Sequence, residues 1–126
     1  MQVIKTAAIL AAGMSIGALT SAVHSAPDHS LGMAMMSAIV DYQGTLVAGS
    51  GATAASRTSQ GQYKVTFERD VSTCAFSATS TFQSEMIGAS ADSTANVARV
   101  YSTFPMNGGG ASASDSGFNL LVFCTK

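Results

Sequence analysis

The sequence has no tryptophan, only two prolines, two histidines and two cysteines, and charged residues make up just 10% of its 126 positions. An ordinary soluble domain carries about 25% charged residues. The shortage excludes a coiled coil, a basic nucleic-acid binder and an acidic disordered tail, all of which depend on dense charge. Beyond residue 25, Arg57, Lys64, Arg69, Arg99 and Lys126 face seven acidic residues, so no cationic surface for nucleic acid is expected. No Walker-type or G-x-G-x-x-G segment follows a strand and opens a helix, and Gly108, Gly109 and Gly110 read as a flexible loop.

The scarcity of histidine removes most acid–base and nucleophilic chemistry. His24 and His29 both precede every stretch that reads as a strand, where the geometry of a Ser-His-Asp or Cys-His site is out of reach. Carboxylates offer little more. Glu68 and Asp70 are two apart, but a paired-carboxylate glycosidase needs a cleft lined by sugar-stacking aromatics, and the tryptophan that serves best is missing. The expected reading of Glu68-Arg69-Asp70 is a solvated turn. Asp92, Asn96, Asn107 and Asp115 supply loop oxygens of the kind calcium takes, yet no D-x-[DN]-x-[DN]-G run occurs, and Asx turns account for them. Expected, therefore, are no catalytic residue, no cofactor and no metal: a non-enzyme.

What the sequence does have begins with an export signal. Lys5 precedes an uncharged stretch, 6–19, diluted by Gly13, Ser15 and Gly17 and too short to span a bilayer as a helix. Small residues allow cleavage after Ala22 or Ser25. Residues 1–25 are thus expected to form a helical signal peptide, and 26–126 a single secreted β domain with no membrane span after cleavage. Export puts Cys74 and Cys124 in an oxidising compartment, where an even pair forms a disulfide; their spacing excludes a CxxC redox pair, and two cysteines alone cannot close a zinc site.

The remainder has a β pattern. In 62–67, Tyr63, Val65 and Phe67 alternate with polar residues, predicting a strand with one buried face. A second strand is expected over 72–81, with 68–70 as the hairpin turn between them. The consecutive Leu120, Leu121, Val122 and Phe123 in 118–125 predict a central strand covered on both faces. A hairpin is expected around Gln43-Gly44 between 36–42 and 45–48, with further strands over 97–103 and 53–57. Gly49-Ser50-Gly51, 88–93 and 107–117 read as turns or loops. The fold class is all-β: a small antiparallel sandwich or jelly roll of roughly six to eight strands.

Gly44-Thr45-Leu46, Gly49 with Gly51, Arg57-Thr58, the run Gly61-Gln62-Tyr63-Lys64-Val65-Thr66-Phe67-Glu68-Arg69-Asp70-Val71-Ser72-Thr73-Cys74, and Phe118-Asn119-Leu120-Leu121-Val122-Phe123-Cys124 together carry a pattern. It resembles that of a group of short secreted bacterial β-domain proteins, mostly uncharacterised. The resemblance spans about half of the chain beyond the signal, includes both cysteines, omits 82–96, and implies a surface or appendage-tip domain without chemistry to transfer.

Three functions follow as expectations. The leading one is a secreted non-catalytic module with a structural or binding role at or outside the cell surface, binding an unknown ligand or self-associating, with a homotrimer as one form. Its binding surface is expected on the loops around 49–59, 88–96 and 107–117. The alternatives are a fibre or pilus-like subunit assembling through its apolar N-terminal strand, 31–40, and a small secreted hydrolase relying on Glu68 or Asp70.

Overall fold

A computed structural model describes residues 33–82 and 84–125; the signal, its cleavage sites and both histidines lie outside them. Nine strands follow in order: β1 (Met33–Val40), β2 (Leu46–Ser50), β3 (Ala52–Ser59), β4 (Gln62–Phe67), β5 (Ala75–Ser80), β6 (Met86–Ala91), β7 (Val97–Pro105), β8 (Ala111–Ala113) and β9 (Phe118–Thr125). They make two antiparallel sheets. Sheet A has the order β2-β1-β9-β5, and sheet B the order β3-β4-β7-β6 with β8 paired to β7. The expected all-β sandwich is the fold, with nine strands because two stretches read as loops, 88–93 and 107–117, contribute β6 and β8.

Alternation builds the core. Tyr63, Val65 and Phe67 of β4 and Ala98 and Val100 of β7 point inward from sheet B, against Met36, Ala38 and Val40 of β1 and Phe118, Leu120, Val122 and Cys124 of β9 from sheet A. Each strand keeps a period of two, so a shift of one residue would turn its apolar set to solvent, and the buried face fixes the register. The ladder between β1 and β9 runs unbroken from Met33 opposite Thr125 to Val40 opposite Phe118.

Three expectations need correction. The segment Glu68-Arg69-Asp70 is not a hairpin turn: β4 belongs to sheet B and β5 to sheet A, so 68–74 carries the chain across the sandwich. Within it Val71 is fully buried and donates its backbone N–H to Ala95 O at 2.8 Å, while Asp70 accepts from Ser72 N at 2.8 Å and Ser72 Oγ at 2.6 Å. Second, β9 is central but not covered on both faces, since Leu120 and Val122 are buried while Leu121 is 40% exposed. Third, the strand expected over 72–81 begins only at Ala75, and Cys74 precedes it.

The disulfide joins Cys74 to Cys124, with Cα atoms 4.4 Å apart. Ala75 pairs with Phe123, so Cys74 and Cys124 extend that ladder by one register position. Gly61, between β3 and β4, has a φ of +66°, and a Cβ there would collide with the Ser102 carbonyl of β7. Only glycine lets the turn lie against the neighbouring strand.

Candidate binding face

The two sheets present different surfaces to solvent. Among the described strands, the charged residues are Arg57 of β3, Lys64 of β4 and Arg99 of β7, all in sheet B. The strands of sheet A carry none. On sheet A, many of the residues alternating with the core set are themselves apolar: Met33, Met35 and Ile39 on β1, Val47 on β2 and Leu121 on β9 are all exposed, Met35 by 66%, among the uncharged polar residues Ser37, Ser77, Thr79, Asn119 and Thr125.

Register gathers these residues. Met35 lies opposite Phe123, which lies opposite Ala75; Ser37, Leu121 and Ser77 form the next row; Ile39, Asn119 and Thr79 form the third. The two central strands thus bring methionine, phenylalanine, leucine and isoleucine together, interrupted by Ser37 and Asn119 and bordered on β5 by small side chains. At the β1–β2 end it opens into a groove of about 240 Å³ lined by Ile39, Val47, Tyr42, Thr81, Phe82 and neighbouring backbone. Asp41 shapes that end by accepting from Gln43 N at 2.9 Å and Thr45 N at 2.8 Å, which closes the hairpin. Contiguous exposed apolar surface of this kind marks interaction sites.

Sheet B carries charge on its outer face, beside exposed Met86 and Tyr101. Lys64 and Arg99 are cross-strand partners, and both reach Asp92, with Nζ at 3.1 Å and Nε at 3.3 Å. The Asp92 side chain is only 3% exposed, and the hydrogen bond from Lys64, aided by the backbone and by Arg99, holds its carboxyl below the usual range. The Arg99 guanidinium sits 5.5 Å from the centre of the Tyr101 ring.

A second polar cluster fastens the far end of β4. Asp115 Oδ1 accepts from Arg57 Nε and from Gly61 N, each at 2.8 Å, and the Arg57 bond chiefly lowers its pKa. The Tyr63 hydroxyl donates to Tyr42 O at 2.9 Å, lies 3.3 Å from Asp115, and accepts from Ser116 N at 3.1 Å. Burial, with the adjacent Asp115 charge, pushes the phenol up to about 12. Glu85 closes the same end of sheet B, accepting from Ser102 Oγ at 2.6 Å and Ser114 Oγ at 2.9 Å. These carboxylates are committed to holding strands and turns.

The residues weighed for chemistry are accordingly dispersed. Asp92 lies beside Lys64 and Arg99, Asp115 beside Arg57, Asn96 donates to Phe67 O at 3.2 Å, and Asn107 is in an exposed turn. No group of three or more His, Cys, Asp or Glu able to hold a metal ion occurs among the described residues. The segments expected to form a binding surface, 49–59, 88–96 and 107–117, supply β3, β6 and β8 of sheet B and the ends of neighbouring elements. The apolar face of sheet A escaped the sequence reading. Its signal is the adjacency of Met35 with Met36 and of Leu120 with Leu121, apolar at both parities on strands with one buried face.

Lowered carboxyl pKa values make stability pH-dependent. A carboxyl depressed in the folded state stabilises fully above its unfolded value, near 3.9, and that contribution is lost as pH falls through the folded value. The urea midpoint is expected to hold from neutrality to about pH 5 and to fall below about pH 4. In Asp115→Asn the acid-side fall should be shallower; an acid limb identical to wild type would show that the Arg57 pair contributes nothing.

Comparison with known proteins yields no match among family models, curated proteins or solved structures. Among the described residues, no helix is long and apolar enough to cross a membrane.

Proposed function

We propose that this chain is an exported, non-catalytic β-sandwich module with a structural or binding role outside the cytoplasm, and that its working surface is the outer face of sheet A. The observation that carries this reading is the asymmetry of the sandwich: one sheet bears all the charged strand residues, ion-paired, while the other is free of charge over four strands and exposes Met33, Met35, Ile39, Val47 and Leu121. Folding alone does not require the second, because Leu121 and Met35 add nothing to the core. A small domain closed by a disulfide fits an oxidising compartment. The engagement of Asp70 by Ser72 supports the non-catalytic reading over a hydrolase. The position of β1 between β2 and β9 supports a self-contained module over a strand-donating fibre subunit, since a donated β1 would take Met36, Ala38 and Val40 out of the core.

Fractionation of a producing culture, followed by intact mass and a free-thiol count, tests the export part. The expected product lies outside the cytoplasm, lacks its first 22 or 25 residues and has no free thiol. A cytoplasmic chain of full-length mass with two free thiols would refute it.

A further inference from the structure

We propose that the outer face of sheet A is a self-association surface, on which a second copy of this chain packs sheet to sheet about a twofold axis. The inference rests on the reading of that face as the working surface and names its occupant. Three observations select a second copy.

The first is charge. A nucleic acid or an anionic surface calls for cations, and the cationic strand residues Arg57, Lys64 and Arg99 are all on the opposite sheet. An uncharged apolar face is matched by another uncharged apolar face, and each copy brings one. The second is shape and order. Packed sheets stack about 10 Å apart with side chains interdigitating; the row Ser37–Leu121–Ser77 sets one large side chain between two small ones, and the row Met35–Phe123–Ala75 falls from two large side chains to a small one, which leaves knobs and hollows on the face. Methionines at positions 33 and 35 are unbranched and adapt to a facing surface.

The third is area. The strands of sheet A have 5, 8, 8 and 6 residues; rising about 3.3 Å per residue and spaced about 4.8 Å apart, they give a footprint of roughly 430 Å² a side, or roughly 900 Å² for two copies. That is the size of a weak, transient interface, below about 1,200 Å². It predicts a dimer that dissociates on dilution. One patch facing itself generates a closed twofold pair, whereas a threefold ring requires two different complementary patches, so the face favours a dimer over the homotrimer expected from the sequence.

The test is sedimentation equilibrium of the oxidised protein over a wide concentration range, wild type against Leu121→Lys at the centre of the face and Gln62→Lys on the outer face of sheet B. Circular dichroism and a thiol count confirm that each variant is folded and bridged. Wild type and Gln62→Lys should pass from monomer to dimer together, while Leu121→Lys should dissociate at least about 100-fold more readily, as expected for a charge buried at an interface centre. A trimer, or a dimer that Leu121→Lys leaves unchanged, overturns the proposal. So does a wild type that stays monomeric at millimolar concentration. In that case, co-sedimentation with phosphatidylcholine vesicles separates the two levels: adsorption lost in Leu121→Lys would assign the face to lipid and keep it as the working surface, and no adsorption would remove that role as well.

Discussion

Replacing both Cys74 and Cys124 with alanine is expected to lower the unfolding free energy by about 4 kcal/mol. The bridge spans a sequence separation of 50, and cross-linking a loop of that length removes conformational freedom chiefly from the unfolded chain. The folded state should change little. Cys74 and Cys124 continue a register already held by Ala75 opposite Phe123 and Phe76 opposite Val122, so β5 stays paired without the covalent bond. Domains of this size are stable by roughly 5–15 kcal/mol, which makes the loss a large fraction of the total. It corresponds to a fall in Tm of roughly 15–30 °C. Urea unfolding of the double variant checks it: a lower midpoint with a larger m-value, from the more expanded unfolded state, is expected. A loss below about 1 kcal/mol would mean that the unfolded chain is already compact around this loop.

The second large effect separates two adjacent leucines. Leu120→Ala should cost about 2–5 kcal/mol, the range for emptying a well-packed core position. Leu120 is fully buried, between Ala38 of β1 and Ala78 of β5 along the ladders. Leu121→Ala should cost less than about 0.5 kcal/mol when measured on dilute monomer, as for ordinary surface substitutions, because this side chain points away from the core. Equal losses at the two positions would show that both faces of β9 are covered within one chain, and would contradict the exposed face.

That contrast also shows where the sequence could and could not be read. The strands β4 and β9 were legible to the residue, because Tyr63, Val65 and Phe67 alternate cleanly and 118–125 is an apolar run that opens after Gly117. The β1–β2 hairpin was legible from Gln43-Gly44, where Gly44 takes a φ of +88°. By contrast, β6 was hidden because its inward residues are Ile87, Ala89 and Ala91: the alternation is present, but two of three members are too small to signal burial. β8 was hidden in a glycine-rich tract and owes its strand form to pairing with Thr103, Phe104 and Pro105 of β7.

The misplaced hairpin at 68–70 has a different cause. Turn residues report that the chain bends, not which sheet it enters afterwards. Val71, buried beneath the crossing, is the residue that commits the path, and a single valine carries no sequence signal of that role. The run Leu120–Phe123 was misread for the most instructive reason. Consecutive apolar residues say that both faces of a strand need covering, and they are silent on whether the cover comes from the same chain. Polar candidates such as Asp92 and Asp115 were visible as loop oxygens, but Lys64 and Arg57 lie far from them in sequence and are brought to them only by the fold, while Arg99 meets Asp92 across the turn between β6 and β7.

Methionine methyl groups offer the most direct view of the apolar face, because they sample every side of the sandwich. Met33 and Met35 lie on the outer face of sheet A, Met36 is buried, and Met86 and Met106 are exposed at 52% and 55% on or beside sheet B. With methyl-labelled methionine, NMR spectra of the oxidised protein recorded through a dilution series should show the Met33 and Met35 resonances moving together along one binding curve, while Met36, Met86 and Met106 stay fixed. Movement of Met86 and Met106 with Met35 unchanged would place association on sheet B, and a spectrum independent of concentration throughout would contradict self-association through sheet A.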